Sequence, residues 1–137
     1  MWTARLLALA GFLDATYLTV SHYSGADVAC GPAGGCELVL TSRWATIGDV
    51  PIAAVGVAYY ALASLLAWTP AESWGRRTSW ALVVLTGAGL VFSAVLFWLQ
   101  AAVIDAWCRF CLVSAAITTL LFLSAVALHF ASGRLAR

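Results

Sequence analysis

Four long apolar stretches, separated by short polar segments, make up most of this 137-residue chain. They cover approximately residues 6–23, 51–69, 79–99 and 109–131. A helix that crosses a bilayer needs about 20 predominantly apolar residues, and backbone polar groups in lipid must be satisfied inside a helix or a closed barrel. Because the stretches lack the alternating pattern of barrel strands, the sequence predicts an all-α fold. This fold is a four-helix transmembrane bundle in one integral membrane domain, residues 1–137.

The composition agrees with a membrane protein. Apolar residues make up 64% of the chain and charged residues 9%, whereas soluble domains average about half and about a quarter. The lipid bilayer is therefore the expected solvent, and a net charge of +1 gives no reason to expect a nucleic-acid partner. The first stretch is predicted to be a retained helix rather than a cleaved signal peptide. A cleavage after Ala29 would place Asp27 where a small residue is needed.

The positive charges favour one orientation in the membrane. All seven basic residues are arginines. Five lie at the termini and between the second and third stretches: Arg5, Arg76, Arg77, Arg134 and Arg137. Only Arg43 and Arg109 lie in the other two connections. Since cytoplasmic segments carry the excess of basic residues, we expect a multi-pass protein of the cell (inner) membrane. Both termini are then cytoplasmic, and the loops 24–50 and 100–108 are extracytoplasmic.

All four cysteines lie in or directly next to these two outer loops, on the side of the membrane where disulfides persist. Cys108 and Cys111 lie on one turn at the start of the fourth stretch. Free N–H groups and the helix dipole there stabilise a thiolate, which is the attacking species in disulfide exchange. Cys30 and Cys36 enclose five residues that include three glycines and a proline. A flexible dithiol in a loop and a fixed dithiol at a helix start predict a two-stage electron relay.

Two alternatives need no redox activity. The cysteines could form two structural disulfides that staple the outer loops, and four cysteines allow three pairings between which the sequence does not choose. The spacing of Cys108 and Cys111 is also that of zinc ligands. The longer gap between Cys30 and Cys36 and the oxidising side of the membrane argue against zinc, so no metal site is predicted.

Several motifs occur in a fixed order along almost the whole chain. They are the segment GFLDATYLT at 11–19, Cys30-x5-Cys36, SRWA at 42–45, Pro51 with Gly56 and Tyr60, and Cys108-x-x-Cys111. With these motifs the chain resembles the vitamin K epoxide reductase family, in its bacterial disulfide-generating branch. The resemblance implies a quinone-dependent thiol-disulfide oxidoreductase.

The resemblance also implies a role for each cysteine. Cys30 and Cys36 are the shuttle pair that oxidises a periplasmic thioredoxin-fold dithiol protein. Cys108 takes electrons from Cys36 through a transient disulfide, and Cys111 faces a membrane quinone, ubiquinone or menaquinone, that accepts them. Because the chain ends soon after the fourth stretch, the thioredoxin-fold partner is expected to be a separate protein.

The chain departs from the vertebrate branch of that family at two positions. The vertebrate enzymes carry a tyrosine where this sequence has Ala115, and an asparagine where it has Ile52. Both missing groups donate hydrogen bonds in the vertebrate naphthoquinone pocket. The resemblance therefore favours an ordinary quinone as acceptor, and reduction of vitamin K quinone or its epoxide is the alternative.

Ser42 and Asp14 are further candidates for the quinone site. Ser42 matches a loop serine or threonine of the family, and its alternative is a local hydrogen bond in a helix or turn. Asp14 is an ionisable group within a membrane stretch, which is costly and indicates function by default. Its alternative is a structural hydrogen bond to Tyr17, Ser93 or Thr86.

The segment between the second cysteine and the second stretch mixes apolar and polar residues. Such a composition is typical of a short helix that lies on a membrane surface. We therefore expect residues 37–47 to form a lid helix over the outer end of the bundle, and the alternative is an ordinary connector at the membrane interface.

Overall fold

The computed structural model describes residues 1–31, 34–70 and 73–135, with side chains to residue 132. The chain is mostly helical, as predicted. Its elements are α1 (Trp2–Ser24), α2 (Cys36–Leu40), β1 (Thr46–Ile47), β2 (Val50–Pro51), α3 (Ile52–Ala67), α4 (Arg76–Trp98), a π-helical segment (Leu99–Ile104) that continues α4, and α5 (Arg109–Leu135). Helix α1 packs against α3 and α5, and α4 packs against α5 and, less extensively, against α3.

Small residues form most of the buried face of α1. They are spaced three or four apart, so they lie on one side of the helix: Ala4, Ala8, Gly11, Ala15, Leu18 and Ser21. At Gly11 a side-chain carbon would overlap the ring of Tyr60 on α3. Small residues at this spacing allow two helices to approach closely, which explains why the first and second predicted stretches lie side by side.

Tyr60 also joins α3 to α5 at the centre of the core. The ring is 1% exposed. Its hydroxyl lies 2.9 Å from the carbonyl oxygen of Ser114, 2.9 Å from the Ser114 hydroxyl and 2.9 Å from the Thr118 hydroxyl. Because buried polar groups need partners, these bonds hold α3 in register with α5.

Two helical segments within the described residues are long and apolar enough to cross a membrane: Arg76–Ile104 and Arg109–Ser132. They correspond to the third and fourth predicted spans. Helix α3 is apolar but has only 16 residues, and α1 carries Arg5 and Asp14 within its length. For α1 and α3, a membrane-spanning position therefore stays a prediction.

The predicted lid helix over residues 37–47 is wrong beyond Leu40. After α2 the chain forms turns and then a short antiparallel hairpin, in which Thr46 pairs with Pro51. The hydroxyl of Thr41 donates to the Glu37 carbonyl oxygen at 2.6 Å. Side-chain hydroxyls that bond nearby backbone groups compete with helix formation, and Gly48, with φ of 63°, supplies the left-handed residue of the hairpin turn.

Candidate functional site

Cys108 and Cys111 lie at the start of α5, as the sequence predicts. Cys108 directly precedes the helix, which begins at Arg109, and Cys111 is in its first turn. The backbone N–H of Cys111 donates to Cys108 Sγ at 3.3 Å. The pKa of the Cys108 thiol is lowered, first by a hydrogen bond from the Cys111 thiol and then by the backbone N–H groups of Cys111 and Phe110. A lowered thiol pKa increases the thiolate fraction at neutral pH.

Cys30 and Cys36 are joined by a disulfide, with their Cα atoms 6.0 Å apart, while Cys108 and Cys111 are free thiols. The sequence leaves open whether the loop cysteines bond each other or the helix-start cysteines, and in the structure they bond each other. Cys36 begins α2 and is completely buried, whereas Cys30 is 7% exposed. Both cysteines of the loop disulfide are therefore buried.

The structure brings the loop disulfide and the helix-start thiols together in one buried cluster. This cluster, which we call the thiol cluster, contains Cys30, Cys36, Val39, Ala106 and Cys108, with Cys111 packed against it. Close approach depends on Gly35, because a side-chain carbon there would meet Ala106 and the backbone of Trp107. The distant sequence positions 30–36 and 106–111 thus form a single site.

A cavity of about 390 Å³ lies beside the thiol cluster, between α1, α3, α4 and α5. Its volume falls in the range typical of small-molecule sites, about 300–1,000 Å³. Cys111 lines this cavity, whereas Cys108 packs on the side of the loop disulfide. Most of the wall is apolar, contributed by residues such as Leu18, Ile52, Phe92 and Ala115.

Ser42 lines the cavity, and its hydroxyl also makes a local bond. Ser42 Oγ donates to the carbonyl oxygen of Val39 at 2.7 Å. The turn hydrogen bond that the sequence offers as an alternative is therefore present. A serine hydroxyl can also accept hydrogen bonds, so this bond leaves Ser42 able to contact a bound molecule.

Asp14 lines the cavity from α1 without the structural bonds that the sequence suggests. Its Oδ2 atom is buried and has no hydrogen-bond partner among the described residues. The described residues show no hydrogen bond between Asp14 and Tyr17, Ser93 or Thr86, and Thr86 instead donates within its own helix to the carbonyl oxygen of Leu82 at 2.7 Å. A partnerless buried oxygen is costly, so this carboxyl is available to a bound molecule.

Two further cavity residues, Tyr59 and Gln100, are functional candidates that the sequence patterns do not single out. The Tyr59 hydroxyl is buried without a hydrogen-bond partner among the described residues. The Thr118 hydroxyl lies near it but is paired with Tyr60. Gln100 accepts a hydrogen bond from the backbone N–H of Cys108 at 2.8 Å. The only available signal for Gln100 is that it is the sole carboxamide side chain in the sequence.

Apolar helices, paired thiols and an apolar cavity beside one of those thiols together define a membrane oxidoreductase. The chain matches the vitamin K epoxide reductase family over residues 2–126, a range that includes all four cysteines. The protein therefore belongs to the vitamin K epoxide reductase family. Membership supports a quinone-linked redox function in the membrane.

Proposed function

We propose that this protein is a thiol:quinone oxidoreductase of the bacterial disulfide-generating branch of the family. It oxidises a periplasmic thioredoxin-fold dithiol and passes the electrons to ubiquinone or menaquinone. The observation that carries the proposal is that the two cysteines at the start of α5 have different surroundings. Cys111 lines an apolar cavity, while Cys108 does not line it and packs with Cys30 and Cys36 in the thiol cluster.

In this proposal the single domain is a four-helix transmembrane bundle, with both termini cytoplasmic and all four cysteines extracytoplasmic. The distribution of arginine supports that orientation. The end of the bundle remote from the cysteines carries an interfacial cluster. The Arg5 side chain donates from Nε to the carbonyl oxygen of Ala67 at 3.0 Å and lies 5.2 and 5.1 Å from the rings of Trp2 and Trp68. Arginine with tryptophan is typical of a membrane–water boundary.

Electrons move through the site by two disulfide exchanges. The partner dithiol reduces the Cys30–Cys36 disulfide and leaves as the oxidised partner. The resulting Cys36 thiolate attacks Cys108 of a Cys108–Cys111 disulfide, which forms a Cys36–Cys108 bond and releases the Cys111 thiolate. Cys30 then attacks Cys36, which restores the loop disulfide and releases the Cys108 thiolate. The lowered pKa of Cys108 makes it a good leaving group.

The residues that line the cavity fit a quinone headgroup. The wall is apolar, while Asp14 and Tyr59 each carry a buried polar atom that lacks a partner among the described residues. When bound, a quinone supplies the acceptor for two electrons and two protons. Tyr59 would hold a carbonyl oxygen by donating a hydrogen bond, Asp14 would store a proton near Cys111, and Ser42 would close the cavity from the loop.

The alternative substrate, vitamin K quinone or its epoxide, is less well supported by the cavity. Ile52 and Ala115 both line it. At these two positions the wall therefore offers carbon atoms, whereas the vertebrate branch of the family has hydrogen-bond donors. The other alternative, an accessory protein with stapling disulfides, does not account for the free thiols of Cys108 and Cys111.

We expect the purified protein in detergent to oxidise a reduced thioredoxin-fold dithiol protein when a short-chain ubiquinone analogue is added. The measurement is the loss of quinone absorbance together with the loss of partner thiols, in a ratio of one quinone to two thiols. Omitting the quinone is the control and should stop turnover after about one equivalent. A folded protein that oxidises no thiols with any quinone would support the accessory alternative.

Replacing Tyr59 by phenylalanine is expected to raise KM for the quinone analogue about tenfold, the effect of losing one hydrogen bond to the ligand. Because the Tyr59 hydroxyl has no hydrogen-bond partner among the described residues, the melting temperature should not fall. Tyr60→Phe is the matched control. It removes bonds to Ser114 and Thr118, so it should lower stability by about 1 kcal/mol with little change in KM. Equal behaviour of the two variants would contradict the role of Tyr59.

A further inference from the structure

Gln100 occupies an unusual place in the backbone. It lies in the π-helical segment that continues α4, and its side chain is 3% exposed. π-Helical turns are rare and occur often at functional sites. The segment is followed by Asp105, whose positive φ of 52° turns the chain back so that the Ala106 N–H donates to the Gln100 carbonyl oxygen at 3.2 Å. The reversal brings the start of α5 over the side chain of Gln100.

The Gln100 side chain satisfies a donor that the helix itself cannot satisfy. Cys108 is completely buried, and as the residue before α5 its N–H has no carbonyl partner one turn earlier. Gln100 Oε1 accepts this N–H at 2.8 Å. On the other side of the same residue, the Cys108 carbonyl oxygen accepts from the Leu112 N–H at 3.0 Å. The peptide groups on both sides of the Cys108 Cα are therefore fixed.

The fixed backbone sets the direction of the Cys108 Cα–Cβ bond, which limits the positions open to its sulfur to a few side-chain rotamers. With both peptide groups held, Cys108 Sγ faces the N–H of Cys111 at 3.3 Å. Hydrogen bonds to a sulfur favour the reduced, thiolate-bearing form of a dithiol over its disulfide, as in strongly oxidising thiol enzymes. The lowered pKa of Cys108 agrees with this arrangement.

We propose that Gln100 is a positioning residue for Cys108, and that its amide oxygen shifts the redox equilibrium of the Cys108–Cys111 pair towards the dithiol. The inference rests on the proposed function in that it takes this pair to be redox-active. It adds a residue outside the cysteine motifs that sets the oxidising strength of the pair. The pair accepts two electrons and two protons from a reductant dithiol, which becomes a disulfide.

The test is the redox equilibrium of the full-length protein in detergent with glutathione of known reduced-to-oxidised ratio. After acid quenching, free thiols are alkylated in denaturant, and mass spectrometry gives the oxidised fraction of each cysteine pair. Gln100→Leu is expected to shift the equilibrium of Cys108–Cys111 towards the disulfide by about tenfold, or about 30 mV. The Cys30–Cys36 equilibrium should stay unchanged.

Thr86→Val is the matched control. Thr86 is also buried on α4, but its hydroxyl bonds only within its own helix, to the carbonyl oxygens of Leu82 and Val83. This variant should shift neither pair. Gln100→Met, which fills similar volume without an amide oxygen, should reproduce the shift if Gln100→Leu does not fold. Failure of both variants to fold would overturn the proposal, because Gln100 would then serve the fold rather than the thiol.

The outcomes separate this inference from the proposed function. A wild-type Cys108–Cys111 pair that forms no disulfide at any glutathione ratio would count against the proposed function itself. A normal wild-type equilibrium that Gln100→Leu leaves unchanged would overturn only the role of Gln100. An equal shift of both cysteine pairs would also overturn it, because that result indicates general loosening of the thiol cluster.

Discussion

Replacing Cys111 by alanine is expected to lower quinone reduction by about 10³-fold or more, because a covalent step is lost rather than slowed. Cys111 is the thiol that lines the cavity, so no other cysteine stands between the thiol cluster and the bound acceptor. The assay is quinone absorbance with the reduced thioredoxin-fold partner. Retention of more than about a tenth of wild-type activity would show that Cys111 is not the sulfur that reduces the quinone.

The Cys111 variant should also accumulate a trapped intermediate. The Cys108 thiolate can attack Cys36 of the loop disulfide, which forms a Cys36–Cys108 bond and releases the Cys30 thiolate. Without Cys111 this bond has no resolving thiol on α5. Non-reducing peptide mapping should therefore find the interloop disulfide. Val113→Ala is the control, since Val113 is two residues away on the same helix and 44% exposed, and it should retain activity and show no trapped species.

Much of the fold could be predicted from apolar length alone. The predicted stretch 109–131 lies within α5 (Arg109–Leu135), and 79–99 differs from α4 by a few residues. Long apolar runs have few alternatives in lipid, so this prediction is robust. The lid was mispredicted because the composition of the segment does not show which groups its hydroxyls bond. The hydroxyls of Thr41 and Ser42 donate to nearby backbone carbonyls, and the chain then forms a hairpin with a glycine turn instead of a longer helix.

The sequence likewise predicts some features of the candidate site and not others. Cysteine spacing predicts two pairs, because a reactive dithiol needs neighbouring sulfurs on one turn. It does not predict that Gly35 permits close contact with the loop before Cys108. Nor does cysteine spacing identify Tyr59, whose buried hydroxyl has no partner among the described residues. It also does not identify Gln100, whose side chain accepts a hydrogen bond from the backbone of Cys108, eight residues later in the chain. Tertiary structure alone reveals these features.

Changing both Cys30 and Cys36 to serine is expected to separate the two halves of the relay. Cys108 is completely buried beneath the loop, so a protein partner cannot reach it once the loop thiols are gone. Oxidation of the thioredoxin-fold partner should fall by about 100-fold or more. A small dithiol such as dithiothreitol can enter where a protein cannot. With it as reductant, quinone reduction through Cys108 and Cys111 should stay within about threefold of wild type.

The two reductants must be compared on the same preparation, with quinone absorbance as the common readout. Glu37→Gln is the control, because it alters an exposed charge beside Cys36 and leaves every thiol in place; both reductants should remain effective. Equal loss with both reductants would contradict the relay, since the loop cysteines would then be needed for the fold or for the quinone step. Undiminished oxidation of the protein partner would contradict it differently, because the partner would then reach Cys108 or Cys111 directly. Only a selective loss with the protein reductant fits a loop disulfide that carries electrons from the partner to the buried Cys108.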